Sequence, residues 1–262
     1  MRFQEKRRIV VKVGSSTLAG ERGRMNLSRF HGLSWVLTDL RNSGRDVVLV
    51  SSGAIAVGAA RMNIPKPEGV AGKQAASAVG QAILMQMYEN FFTQYNQIVA
   101  QVLLTKDVAE DAEKRENARS TFFALFERGV IPIVNENDAV STEELGFSDN
   151  DALSAYVADI TGADLLIILS DIDGLYSADP KKDPSARFMP SVQEITPEIE
   201  ALAASSKSPA GTGGMVTKLS AAKMAVSRGI DVVVASGAEP IKILSIARGE
   251  NIGTFFARKH LT

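Results

Sequence analysis

The 262-residue chain has no cysteine and only two histidines, His31 and His260. The first absence removes disulfide frameworks, thiol nucleophiles and thiolate metal sites together. The second leaves too little imidazole for a Ser–His–Asp triad or a multi-histidine zinc site. His260, beside the C-terminus, reads as a surface residue. Net charge is scarce as well: 29 Lys and Arg against 30 Asp and Glu give −1. No global positive field therefore draws the chain onto nucleic acid or an anionic membrane. Long apolar runs are missing too, because the run after the basic start (1–8) stops at Lys12, far short of a membrane span. A reducing cytoplasm is the expected location.

What the chain does have is an alternation of short β-branched runs with helical patterns. Residues 9–13, 47–50, 98–104, 131–134 and 165–169 are apolar, bounded by polar residues or glycine, and read as buried strands. Between them, 27–41, 69–94, 115–128 and 150–161 carry apolar residues at helical spacing. A helix over 217–228 leads into a strand at 230–235. A short helix at 197–204 lies among loops punctuated by Pro184, Pro190, Pro197 and Pro209. Two more short strands, near Ile241 and at 253–256, are expected to close the sheet edge. Such alternation predicts an α/β domain with a mainly parallel sheet covered on both faces. One domain of two lobes is expected, divided near 145–147.

Ligands bind at the carboxyl ends of strands in open α/β sheets, and six segments at such places carry the chemistry. In 10–16, Lys12 interrupts an apolar strand, where a charge needs a partner. Gly14 then lets the backbone turn closely past a phosphate. The plain alternative is an edge strand with Lys12 in water. In 50–54 the small-residue turn Ser51-Ser52-Gly53 opens a helix whose N–H groups suit a carboxylate or phosphate; a bare serine cap is the alternative. Asn135-Glu136-Asn137-Asp138 follows a strand and is placed to read an amino group and a carboxylate, or else forms only an Asx turn. Ser148-Asp149-Asn150-Asp151 opens a helix, where aspartate is favoured for capping alone. Asp151 is also placed to hold a lysine, or Mg2+ through water. Ser170-Asp171 ends a strand and lines a candidate nucleotide pocket, while Asp173-Gly174 marks a hairpin. Last, Gly211-Thr212-Gly213-Gly214 delivers Met215, Val216, Thr217 and Lys218 to a helix start, a loop suited to anions. A P-loop and the H-R-D and D-F-G signatures are absent.

Taken in order, the strings VVKVGSS, VSSGAIAVG, GQAILMQ, VNENDAV, SDNDALSA, ILSDIDGLY and AGTGGMVTKLSAA, between residues 10 and 227, resemble the amino acid kinase family in its glutamate-phosphorylating branch. The resemblance implies a three-layer α/β/α sandwich, with glutamate bound by 1–147 and ATP by 148–262. It implies ATP-dependent phosphorylation of the γ-carboxylate of L-glutamate to γ-glutamyl phosphate, the first step of proline synthesis. Aspartate or N-acetylglutamate as acceptor is the alternative. Lys12, Lys218 and Asp151 become the catalytic set, the lysines neutralising the transferred phosphoryl group and Asp151 organising them. Lys12, Gly14, Ser170, Asp171, Thr212, Gly213, Gly214, Met215, Val216, Thr217 and Lys218 are the expected ATP-binding positions. Ser52, Gly53, Asp138 and Asn150 are the expected glutamate-binding ones. Mg2+ is carried mainly by the nucleotide, proline acts as feedback inhibitor, and a homo-dimer or tetramer is expected. Many relatives add a C-terminal PUA domain, and the chain is expected to work without one.

The residue inventory suits that chemistry. A side-chain carboxylate of pKa about 4.3 is ionised at neutral pH, so its attack needs no general base. The obstacle is repulsion between anions, roughly 4 kcal/mol for unit charges ~4 Å apart at an effective dielectric of about 20. Two lysines and Mg2+ are a proportionate answer.

Overall fold

A computed structural model describes residues 7–18, 24–141, 149–180, 182–205 and 214–259. The expected lobe boundary, Thr212, Gly213 and His260 lie outside the described residues.

Eight strands form the main sheet: β1 (Arg8–Val13), β2 (Asp46–Val50), β3 (Val99–Leu104), β4 (Ile131–Glu136), β5 (Leu165–Ser170), β8 (Ser191–Val192), β9 (Asp231–Ser236) and β10 (Thr254–Phe256). Their order is β3-β4-β2-β1-β5-β9-β10-β8. All neighbouring pairs are parallel except β10 against β9. A two-stranded ribbon, β6 (Leu175–Tyr176) with β7 (Phe188–Met189), lies apart.

Because side chains alternate across a strand, β1 feeds both layers. Ile9, Val11 and Val13 join one core with α2 (Leu27–Asn42), α3 (Ala54–Arg61) and α4 (Gly69–Phe92). Val10 joins the other, with α6 (Ala112–Glu127), α7 (Asn150–Thr161) and α9 (Met215–Ser227). The result is a three-layer α/β/α sandwich. Lys12 shares the parity of Val10, so its side chain points to the layer of α7 and α9. β1 is also a central strand, flanked by β2 and β5, which rules out the solvent-facing edge reading of Lys12.

Two expectations change. The apolar run near Ile241 is not a strand but part of a helical segment, α10 (Lys242–Ala247). Ile243, Leu244, Ile246 and Ala247 are all buried, at the 1-3-4 spacing of a helix face. Pro240 packs tightly on Gly32 of α2 just ahead of it. The edge is closed instead by β10 and β8. Asp173-Gly174 is not a hairpin turn, since β6 pairs with β7 across 177–187. Gly174 has φ 154°, and a Cβ there would sit 2.4 Å from Thr254 Oγ1, so it permits close approach to β10.

The closest helix crossing joins α3 to α4. A Cβ on Gly58 would lie 1.7 Å from the Ala76 carbonyl oxygen, and one on Gly80 would lie 1.8 Å from that of Ala54. Two glycines thus let backbone meet backbone, and α4 is seated directly behind the turn that opens α3.

Candidate active site

Those expected site residues that the structure describes gather at the carboxyl ends of β1, β2, β4 and β5, where α3, α7 and α9 begin. Three consecutive residues of α7 divide the work. Asp149 is the N-cap, accepting from the Ala152 N–H at 2.9 Å. Burial pushes its carboxyl up, with the neighbouring Asp151 charge adding to this and the cap hydrogen bond opposing it. Asp151 is fully buried and faces two lysines. Lys12 Nζ lies 2.6 Å from Oδ1, and Lys218 Nζ donates to Oδ2 at 3.2 Å. Thr217 Oγ1 donates to the same Oδ2 at 2.8 Å. The Lys12 contact is an ion pair without an aligned hydrogen bond, so Oδ1 gains Coulomb attraction but no directed donor. Burial pushes the Asp151 carboxyl up, but the two ammonium groups, together with the Thr217 hydroxyl, outweigh it and hold the group below the usual carboxylate range. Of the two roles open to Asp151, the structure shows the lysine one.

Lys12 and Lys218 thus bring two buried ammonium groups to one carboxylate beside the start of α9. Among the described residues, a Cβ on Gly214 would meet nothing within 4 Å, and one on Gly14 would meet nothing nearer than 3.9 Å, including Lys12 Nζ. Neither glycine has a positive φ. Among the described residues their missing side chains therefore leave room at these two turns rather than relieve strain, as a bound polyphosphate requires. Ser170 is buried and donates to Asp171 Oδ1 at 3.1 Å, while Asp171 itself is exposed. Met215 is buried and Val216 exposed on the first turn of α9.

Asn150 turns the other way. Its Nδ2 approaches the Ser51 carbonyl at 2.5 Å, Ser52 Oγ at 3.0 Å and Asn135 Oδ1 at 2.9 Å. Asn135 Oδ1 also accepts from the Glu136 N–H, and Asn135 Nδ2 donates to Gln81 Oε1 at 2.9 Å. Backbone groups at both ends of this chain, the Glu136 N–H and the Ser51 carbonyl, fix which way each amide points. Among the described residues no hydrogen bond reaches the Asn150 carbonyl oxygen. Gly53, the N-cap of α3, has φ 99°, a left-handed conformation that a β-carbon would strain. Asp138 is half-buried; burial pushes its carboxyl up, and the Ser77 hydroxyl, donating at 2.5 Å, pulls it back in part.

Sequence reasoning missed the contribution of α4. Gln74, Ser77, Gln81 and Tyr88 reach, in turn, the Ser141 carbonyl, Asp138, Asn135 and the Ser51 hydroxyl. Their spacing of three, four and seven residues is a polar stripe along one helix face. That was the available signal, hidden in a stretch rich in Ala and Gly.

Two buried ammonium groups sharing a carboxylate at a helix start, beside glycine turns at strand ends, are the features expected of a site for transferring a phosphoryl group, here without a P-loop. The chain belongs to the amino acid kinase family, whose sequence profile matches residues 7–236. It is similar to the glutamate 5-kinase of Clostridium perfringens, with 52% identity over 98% of this chain and 97% of that one. The glutamate 5-kinase of Listeria monocytogenes is 49% identical over 98% of this chain and 95% of its own. That of Carboxydothermus hydrogenoformans is 52% identical over 97% of this chain and 68% of its own. Among solved structures, the UMP kinase of Bacillus anthracis has the same fold at TM-score 0.65 and 17% identity, covering 97% of each chain. Isopentenyl phosphate kinase of T. acidophilum superposes at TM-score 0.61 and 17% identity, over 95% of this chain and 99% of that one.

Proposed function

We propose that the protein phosphorylates the γ-carboxylate of L-glutamate with ATP, giving γ-glutamyl phosphate and ADP, the step that opens proline synthesis. The observation that carries this reading is the pairing, at one helix start, of the Lys12–Asp151–Lys218 cluster with the hydrogen-bonded set Asn150, Ser52, Asn135 and Gln81. Near-full-length identity of about half to proteins named glutamate 5-kinase supports the same choice of substrate.

In this reading Lys12 and Lys218 hold the triphosphate and neutralise the γ-phosphoryl group as it leaves ADP. Gly14, Ser170, Asp171 and the segment 212–218 surround the rest of the nucleotide. Asp138 and the Asn150 carbonyl oxygen take the α-ammonium of glutamate, and the turn Ser52-Gly53 with the N-terminus of α3 takes its α-carboxylate. The side-chain carboxylate attacks the γ-phosphorus, and the bond to the bridging oxygen of ADP breaks. The N-terminal part to about 147 is then the acceptor lobe and the remainder the nucleotide lobe.

Among the described residues no three His, Cys, Asp or Glu side chains cluster so as to hold a metal ion, and both Asp151 oxygens face lysines. The donor set therefore suits Mg2+ that arrives on the phosphates with its waters, where it neutralises the same charge as the lysines. Turnover is expected to stop in excess EDTA and return with Mg2+; full activity without free divalent ion removes this part. No described helix is long and apolar enough to cross a membrane. A homo-oligomer belongs to the same proposal, and the solution mass by light scattering checks it.

The acceptor test is ADP release with each candidate in turn, hydroxylamine trapping the acyl phosphate. Acetylating the amine sets an uncharged amide against Asp138, a loss of about 1–3 kcal/mol or more. Aspartate is one methylene shorter, leaving its carboxylate roughly 1 Å short, which costs about 10²-fold in rate. Glutamate is therefore expected to lead both by a wide margin in kcat/KM, and Asp138→Asn to weaken glutamate binding strongly. Proline shares the α-carboxylate and a cationic α-nitrogen, so adding it should raise the apparent KM for glutamate. Equal turnover of aspartate or N-acetylglutamate keeps the family and discards the substrate.

A further inference from the structure

Serine and threonine inside helices usually spend their hydroxyls on their own helix, four residues back. Three buried examples here do so or nearly so: Ser34 donates to the Phe30 carbonyl, Thr161 to that of Val157, and Ser154 to that of Asp151. Ser77, equally buried in α4, does not. Its Oγ crosses to a residue 61 positions later and donates to Asp138 Oδ2 at 2.5 Å. That length is typical of a hydroxyl bound to an ionised carboxylate, where the bond is strongest. Alanine would suit the helix better at this buried place, so what serine adds is the hydroxyl itself.

We propose that Ser77 is a positioning residue for glutamate recognition, pinning one oxygen of Asp138 so that the other is presented to the substrate α-ammonium. The inference rests on the reading of Asp138 given above.

The physical need is plain. Asp138 follows β4 on a loop, with two rotatable side-chain bonds and, among the described residues, no basic partner. Left alone, it would sample several rotamers, and burial would favour its neutral form, which attracts an ammonium poorly. A donor at Oδ2 removes the rotational freedom and favours the ionised form. α4 is itself held at fixed depth by the Gly58 and Gly80 crossing, so the donor does not drift. Burial and Ser77 are the influences on Asp138. Glu136, the titratable group on the same strand end, accepts from Ser141, and the charged cluster on β1, α7 and α9 lies across Asn150.

The test is glutamate kinetics at saturating ATP for Ser77→Ala, Ser77→Thr and Asp138→Asn, across pH. Ser77→Ala is expected to raise KM for glutamate about tenfold, near one hydrogen bond to a charged group, while kcat at saturation stays close to that of the parent protein. Removing the hydroxyl lets burial lift the Asp138 carboxyl further. The acid limb of kcat/KM therefore moves to higher pH, and glutamate's own titration, common to both proteins, cancels in the comparison. Ser77→Thr keeps the hydroxyl and should restore both quantities. If its extra methyl lowers Tm, the Ser77→Ala pH profile decides alone. Unchanged KM and acid limb in Ser77→Ala, with Asp138→Asn impaired, overturns the role of Ser77 and leaves the site reading intact. Unchanged KM in Asp138→Asn overturns both.

Discussion

Lys12→Ala and Lys218→Ala are each expected to lower kcat by about 10²–10³-fold, with KM for glutamate little changed. On the proposed reading both ammonium groups meet the γ-phosphoryl group as its negative charge shifts, so their attraction is felt more in the transition state than in the bound substrates. A change below threefold in a folded mutant would take that lysine out of the chemistry. Asp151→Asn has a different signature. Both lysines are at least nine-tenths buried, at 7% and 5% exposure, and the substitution removes the charge of the carboxylate they share. Breaking a buried ion cluster this way costs about 3–5 kcal/mol of stability. Added nucleotide supplies the missing negative charge, so ATP should raise the Tm of Asp151→Asn by more than it raises that of the parent protein. Equal shifts would mean the lysines do not meet the triphosphate. Acid has a parallel effect. The Asp151 carboxyl titrates lower in the folded than in the unfolded state, so its contribution to stability is complete above the unfolded value. It is lost as pH falls through the folded one.

The second large effect is expected far from any charge. Gly→Ala inside a helix ordinarily stabilises by roughly 0.5–1 kcal/mol. At Gly80 the added carbon falls 1.8 Å from the Ala54 carbonyl oxygen and 2.6 Å from the Gly58 nitrogen, both backbone atoms that no rotamer change can move aside. Overpacking of this kind costs about 3 kcal/mol or more and reverses the usual sign. Gly80→Ala should therefore unfold at distinctly lower denaturant. Whatever remains folded should bind glutamate poorly, because α3 and α4 must separate and carry Ser52, Gly53, Ser77 and Gln81 with them. Stability at or above that of the parent protein would contradict the close crossing.

Most of the architecture was legible because the β-branched runs are short and sharply bounded. Strands β1, β2, β4 and β5 start within a residue of their apolar runs, and α7 spans the same residues as its pattern. Legibility failed where a run was too short to show a period. The residues after Ile241 fit strand or helix equally, and only packing against α2 decides. The site was legible where glycine or charge broke a pattern, as at Lys12, Gly53, Asp151 and Gly214. It was illegible on α4, whose polar stripe lies among small residues. Nothing local marks Ser77 or Gln81, since their partners are 61 and 54 residues away. That Asp151 reaches two lysines at once is likewise a property of strand order, which places β1 between β2 and β5.

Adjacent residues on a helix diverge by about 100°, so Asn150 and Asp151 face different neighbourhoods while sharing a peptide bond. On the proposed function, the donor and acceptor sides of the reaction are therefore gauged from one covalent reference mark about 3.8 Å long. Relative movement of the elements on either side cannot alter that spacing, and an insertion of one residue there would swap the two directions. Substitutions that remodel the pocket beyond Asn150 leave the clamp at Asp151 untouched. Such an arrangement lets new acceptors be tried without rebuilding the machinery that handles phosphate.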